Sequence, residues 1–248
     1  MSSAAELWSG GKYELVAPRF AEIHDELVER LAPQSGERWL DVATGTGEVA
    51  ARAAGAGADV VGLDIAPRLL EQARTKSAEV EWVEGDAQAL PFADGAFDVV
   101  SSSFGVIFAP DHEAVAGELA RVCRGRLGLT AWRANQGLHA IYAAFTGEEP
   151  ESPTSDDWGR EERLDQLLGE AFELEFRERV WWLEAESPEQ VWELMSVGAP
   201  PLKALVDSLE AERRSAFREA MVEHWSQFQG PDGVREPRHY LLVLGRRR

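Results

Sequence analysis

Trp39-Leu40-Asp41-Val42-Ala43-Thr44-Gly45-Thr46-Gly47-Glu48 decides how this 248-residue chain is read. A short apolar run enters a turn of small residues, and helix-forming residues follow from Glu48 to Ala54. The pattern predicts a strand, a glycine turn and a helix. Small residues at Ala43, Gly45 and Gly47 let a ligand approach the backbone, and glycine tolerates positive φ. The new helix aims unpaired N–H groups at that ligand. Asp41 adds a carboxylate beside the turn, which disfavours a pyrophosphate and favours a ligand with ammonium or hydroxyl groups.

Outward from this turn, strand and helix patterns alternate. Strands are predicted at residues 38–43, 59–64, 80–84, 97–103 and 126–132. Between them, Pro67 suits a first helical turn, and Asp111 suits an N-cap ahead of Val115, Leu119 and Val122 at helical spacing. Repeated β–α units imply a parallel sheet with helices on both faces. Upstream, Phe20, Ile23, Leu27 and Leu31 form an apolar stripe ended by Pro33 and Gly36, while residues 8–13, with Gly10-Gly11, read as a flexible lead-in. After Trp132 the alternation breaks. Residues 147–157 read as an exposed loop; a strand at 172–183, helices at 188–197 and 202–228 (the second broken) and a strand at 238–245 follow.

Composition narrows the function. The 44 acidic residues against 25 lysines and arginines give a net charge of −19, which disfavours nucleic acid and anionic membranes, since both are bound mainly through basic side chains. No apolar run approaches the roughly 20 residues of a bilayer span. Residues 1–6 lack the features of a secretory signal. The single cysteine, Cys123, leaves no internal disulfide and no cysteine-based metal site. A cytoplasmic protein without a metal is the simplest expectation.

Acidic residues recur at three successive strand ends, where open α/β sheets bind ligands. Asp41 precedes the glycine turn. Asp64 ends Val60-Val61-Gly62-Leu63, roughly 20 residues on, where an acid can take both ribose hydroxyls. Asp86, in Gly85-Asp86-Ala87, can accept from an exocyclic amine. Each acid alone could be a helix cap. Together they describe an adenosine-shaped site with an extra carboxylate. A dinucleotide fold is the nearest rival, with Ala50 standing where its third glycine would be, a replacement such folds accept.

On these residues the chain resembles the class I S-adenosylmethionine-dependent methyltransferases, of the branch that includes the ubiquinone and menaquinone biosynthesis methyltransferases. Asp41 to Gly47 is similar to their first motif, with Ala43 where glycine is commoner, and Val61-Gly62-Leu63-Asp64-Ile65 to their ribose-binding motif. Gly85-Asp86-Ala87-Gln88-Ala89-Leu90-Pro91-Phe92 is similar to the adenine-side pattern; residues 97–105 and 118–124 correspond to the fourth strand and the helix before the fifth. Arg124-Gly125-Arg126 is shorter than the family's turn before that strand.

The resemblance implies a Rossmann-like, doubly wound, mostly parallel seven-stranded α/β sheet with a helical substrate-side cap. Residues 1–35 would form a helical lid, 36–134 the cofactor-binding core, and 135–248 the substrate side and last strands of one domain. It implies S-adenosyl-L-methionine as cofactor. Asp64 would bind the ribose, Asp86 and the Ala87 backbone the adenine edge, and Ile65 the adenine face. The Ala43, Thr44 and Gly45 backbone would pass under the methionine, with Asp41 near its ammonium and Tyr13 near its carboxylate. Ser103 and Phe104 would lie by the sulfonium and open onto the acceptor. His112 and His139 are the candidate general bases. Phe104, Phe108, Trp132, Tyr142 and Phe145 are candidates to line the acceptor pocket, with Trp181, Trp182, Trp192 and Trp225 adding aromatic surface. A pocket of this kind would take a small flat or apolar acceptor.

Overall fold

The structure is a computed structural model describing residues 4–147 and 154–248. Five parallel strands fill its first half: β1 (Arg38–Val42), β2 (Asp59–Asp64), β3 (Glu81–Glu84), β4 (Phe97–Ser103) and β5 (Cys123–Trp132). β6 (Phe172–Ala185), β7 (Gln229–Gly230) and β8 (Gly233–Arg247) follow. The sheet order is β3-β2-β1-β4-β5-β8-β6, with β7 paired to β8 off this path. Seven strands thus make the expected path, and the two-residue β7 adds an eighth. β1 pairs in parallel with both β2 and β4. The chain therefore winds outward on both sides of it, which opens a crevice at the carboxyl ends of β1 and β4. β8 runs antiparallel to both β5 and β6.

Helices α3 (Glu48–Gly55), α4 (Pro67–Lys76) and α5 (His112–Val122) cross between the parallel strands. Because helices cover both faces, β1, β2 and β4 are buried almost without interruption, as parallel strands are. The predicted starts hold in detail. Pro67 opens α4, and the Asp111 side chain accepts from the Ala114 N–H to cap α5. Helix α2 (Ala21–Leu31) presses the buried Leu27 and Leu31 onto β5 at Gly128, where a Cβ would stand 2.5 Å from Leu31. Each such leucine contributes about 2–3 kcal/mol through burial.

The lead-in differs from its expectation. Residues 4–9 form α1 (Ala4–Ser9), and a 3₁₀ turn spans Tyr13–Leu15. Trp8 packs against Phe108 at 4.9 Å and edge-on to Tyr13 at 6.0 Å. The Arg68 guanidinium donates to the Ser9 and Gly11 carbonyls. These contacts offset the chain entropy that Gly10-Gly11 suggested would keep the segment loose. Within the expected lid, α1 and the 3₁₀ turn lie beside the crevice, whereas α2 is a layer of the sheet.

The second half carries α6 (Gln136–Thr146), α7 (Glu161–Leu168), α8 (Pro188–Gly198), α9 (Pro200–Ser208) and α10 (Ala211–Ser226). The break expected within 202–228 falls at Leu209-Glu210. Helices α6, α8, α9 and α10 enclose their own apolar cluster around Val191, Phe217, Met221 and Trp225. Of the predicted loop at 147–157, residues 148–153 lie outside the described residues. The rest is not simply exposed. Ser155–Gly159 forms a 3₁₀ turn whose Trp158 is fully buried, and the Asp157 carboxylate accepts from the Thr154 N–H at its start. One tryptophan anchors a segment whose other residues read as solvated. β8 begins at Gly233, five residues before expectation, and tolerates Pro237 because it has not yet joined β5, with which it pairs only from Tyr240 (opposite Trp132) onward. Among the described residues no helix is long and apolar enough to cross a membrane.

Candidate cofactor and acceptor site

The turn after β1 is a chain of left-handed residues: Ala43 at φ 53°, Gly45 at 56° and Gly47 at 80°. The two glycines adopt this freely, while alanine there costs about 1–2 kcal/mol. Phe104, at the end of β4, has φ 55°. Two of the strained non-glycine residues thus face one another across the crevice, where strain of this kind collects at ligand sites. Gly105 makes the approach possible. A Cβ at this position would lie 2.5 Å from the Ala43 Cβ and 2.7 Å from its carbonyl oxygen.

Asp64 ends β2 with its carboxylate turned to the glycine turn. Oδ2 accepts from the Gly45 N–H at 2.7 Å and Oδ1 from the Ala66 N–H at 2.9 Å. Burial pushes its pKa up, and these N–H groups pull the other way. Beyond β3, Asp86 accepts from the Gln88 N–H at 2.9 Å and from the Gln88 side-chain amide at 3.0 and 3.1 Å. Gln88 was not foreseen. It satisfies an acid whose oxygens would otherwise face the crevice, as an exocyclic amine would.

Asp41 lies deeper. Its carboxylate accepts from the Thr44 hydroxyl at 2.5 Å and the Ser101 hydroxyl at 2.7 Å, and Trp39 Nε1 donates to Ser101 at 2.8 Å. Burial pushes its pKa up to about 6, against the pull of Thr44, Ser101 and the Ala50 N–H. Asp41 and Thr44 line a small recess under the turn together with Tyr13, His24, Thr46 and Ser103. Two buried polar atoms of this recess, His24 Nδ1 and Thr46 Oγ1, have no hydrogen-bond partner among the described residues. Burial, and then the charge of Arg52, push the His24 pKa down to about 4. A neutral imidazole, a hydroxyl, a phenol and a carboxylate suit the ammonium and carboxylate of an amino acid. His24 could have been found. It lies four residues past Phe20, on the apolar stripe of α2.

The main cavity, about 420 Å³, runs from these strand ends into the second half of the chain. Tyr13, Ala43, Gly45, Asp64, Ile65, Asp86, Ala87, Ser103 and Phe104 all line it. The Phe104 ring stacks on Trp132 with centroids 3.9 Å apart and planes 4° from parallel. The Ser103 hydroxyl is 3.0 Å from that of Thr130. Phe108, Tyr142, Trp181 and Trp225 also reach the cavity. Three other aromatic expectations do not. Phe145 and Trp192 pack on Phe217, and Trp182 is exposed beneath the Arg235 guanidinium.

The two histidines separate. His112 is not brought to the cavity: the first turn of α5 points it inward, where it is buried edge-on to Trp158 at 5.5 Å. Burial pushes its pKa down. His139 lines the cavity, and its Nε2 meets the Asp156 carboxylate. Asn135 sets this up by capping α6, its Oδ1 accepting from the Leu138 N–H. Burial pushes Asp156 up in pKa despite the histidine beside it. Asp156 escaped the sequence because it sits in the segment taken for a solvated loop.

Residues 40–126 match the family described as a methyltransferase domain. An uncharacterized protein of Mycobacterium tuberculosis is 39% identical over 175 residues, a match spanning 66% of this chain and 64% of that protein. A ubiquinone/menaquinone biosynthesis C-methyltransferase of Ruegeria sp. is 39% identical over 136 residues, 49% of this chain and 54% of the relative. Among solved structures, phosphoethanolamine N-methyltransferase 2 of Haemonchus contortus, in complex with S-adenosyl-L-methionine, superposes with a TM-score of 0.60 at 15% identity, covering all of this chain and 61% of that one.

Proposed function

We propose that this chain, which belongs with the class I S-adenosylmethionine-dependent methyltransferases through residues 40–126, methylates a small apolar or aromatic molecule with S-adenosyl-L-methionine as donor. The observation that carries this reading is a single cavity joining the strand-end acids to an aromatic chamber across Ser103 and Phe104. The residues present fit the cofactor: Asp64 for the ribose, Asp86 and Ala87 for the adenine edge, Ile65 for its face. Tyr13, His24, Asp41 and Thr46 would hold the amino-acid end, with the Ala43–Gly45 backbone beneath. When bound, the cofactor supplies a methyl group on a sulfonium that needs no further activation.

The chain's own contribution is alignment and proton handling. Ser103, Phe104 and Trp132 line the cavity between the two ends, and holding an acceptor there replaces a bimolecular encounter by a positioned one. His139 takes the proton of an acceptor that keeps it at neutral pH. Asp156 engages Nε2 and so leaves Nδ1 to receive that proton. The acidity of the chain counts against RNA, and the aromatic lining of the cavity supports a small molecule. The activity named for the Ruegeria relative belongs to quinone biosynthesis, and a flat ring suits the same aromatic lining.

The test is to incubate the protein with methyl-labelled S-adenosylmethionine and a metabolite extract. Label in the small-molecule fraction supports the reading. Label confined to protein or RNA, or tight cofactor binding with no transfer, overturns it.

A further inference from the structure

We infer that the acceptor is an organic anion, an apolar body bearing one carboxylate-like group that Arg238 receives at the cap end of the cavity. The word acceptor rests on the methyl-transfer reading above; the charge preference of the cavity does not.

Strand alternation along β8 turns Glu236, Arg238 and Tyr240 to one face. Glu236 is completely buried and already engaged: Asn135 Nδ2 at 3.0 Å and His224 Nε2 at 3.1 Å meet Oε1, and Trp225 Nε1 donates to Oε2 at 3.1 Å. Arg238 reaches this carboxylate only at 3.5 Å. Its side chain is 20% exposed, and its guanidinium carbon stands 5.8 Å from the Trp132 ring centroid. A guanidinium carries five N–H donors, and no hydrogen bond engages them among the described residues. These donors line the cavity beside Trp132, Trp181 and Trp225, where a ligand can reach them. The two oxygens of a carboxylate match that fork.

The surrounding charges agree. Asp64 and Asp86 mark the cofactor end, whereas the acceptor end presents Arg19, Arg133 and Arg238. Of these, Arg133 is paired with Glu161 and Glu178 at 3.4 and 3.3 Å, and Arg19 donates to the Glu184 carbonyl. Asp156 is the one acid lining that end among the described residues, and His139 engages it. Burial pushes the pKa of Asp156 and of Tyr142 up, and Arg238 lies close enough for its charge to oppose that rise at both. In a chain of net charge −19, this local reversal selects against an amine and for an anion.

The experiment titrates the protein, saturated with S-adenosylhomocysteine, with 2-naphthoate and its neutral isostere 2-naphthamide, following tryptophan fluorescence. Naphthoate should bind at least about tenfold tighter. Arg238→Gln should abolish the difference while leaving S-adenosylhomocysteine affinity unchanged, and Arg238→Lys should keep part of it. Equal affinity for the two probes in the unmodified protein, including failure of both to bind, overturns the inference. So does a preference that persists in Arg238→Gln. If S-adenosylhomocysteine itself does not bind, the methyl-transfer reading fails separately, and the same titration on the cofactor-free protein still decides the charge preference.

Discussion

The two ends of the cavity are built by opposite means. At the end we assign to the cofactor, backbone N–H groups and short acidic side chains gather at the tips of β1, β2 and β3, within fewer than fifty residues of sequence. At the other end, Phe104, Trp132, His139, Asp156, Trp181 and Arg238 arrive from separate elements, most of them on large side chains. The first design fixes a ligand through main-chain geometry that few substitutions can alter. The second lets single side chains change the ligand while the sheet beneath stays as it is.

If the division holds, substitutions at one end should leave the other silent. The largest effect is expected for His139→Gln, which should lower kcat about 10²- to 10⁴-fold, the usual worth of a positioned general base. Cofactor affinity by calorimetry should not change, and Asp156→Asn should show a smaller loss of the same kind. An undiminished kcat would remove the base from the acceptor end. Next, Asp64→Ala should weaken S-adenosylhomocysteine binding by about 1–3 kcal/mol, the value of hydrogen bonds to a charged group, with naphthoate binding intact. Loss of both affinities together would break the separation.

Asp41 sharpens the comparison through pH. Its folded pKa of about 6 lies above the ordinary 3.8, so the folded state holds the proton more tightly. Stability from this group is complete below about pH 4 and is lost as pH rises through 6. Asp41→Asn should therefore stabilise the protein by about 3 kcal/mol at pH 8 and little at pH 4. His24 runs the other way: with a folded pKa of about 4 against 6.5, its contribution falls as pH drops below 6.5. Denaturation midpoints for Asp41→Asn should consequently climb between pH 4 and 6.5 more steeply than those of the parent. Parallel curves would contradict the buried carboxylate. The smallest effect is expected for Ala43→Gly. Relief of the left-handed strain, about 1–2 kcal/mol, is nearly offset by about 0.5–1 kcal/mol of glycine chain entropy, so the melting temperature should rise slightly. A fall would mean that the Ala43 methyl supports Gly105.

This asymmetry also explains what the sequence disclosed. The strands, the Asp111 cap, the first-turn Pro67 and the three acids are local signals, each fixed by a few adjacent residues, and the structure brings Asp64 and Asp86 to one cavity. His24 was legible but passed over: it falls on the apolar stripe of α2, where a polar residue signals a buried partner, although the recess beneath it was not. Asp156 and Arg238 line one cavity only because the turn before α7 and the strand β8 come together, a juxtaposition no local pattern encodes. His112 showed the converse. Its place after β4 suggested chemistry, but the register of α5 turned it into the core.

The ribbon formed by β6 and β8 carries one more consequence. Its outermost pair is Ala185 with Val234, so α8, α9, α10 and β7 leave and rejoin the sheet at two points that already touch. A segment with neighbouring ends is an exchangeable module, because a replacement of different length need only meet the same two anchors. Transplanting residues 186–233 from a relative should reshape the cavity wall formed by Leu202, Met221 and Trp225 while the turn at Asp41–Gly47 stays as it is.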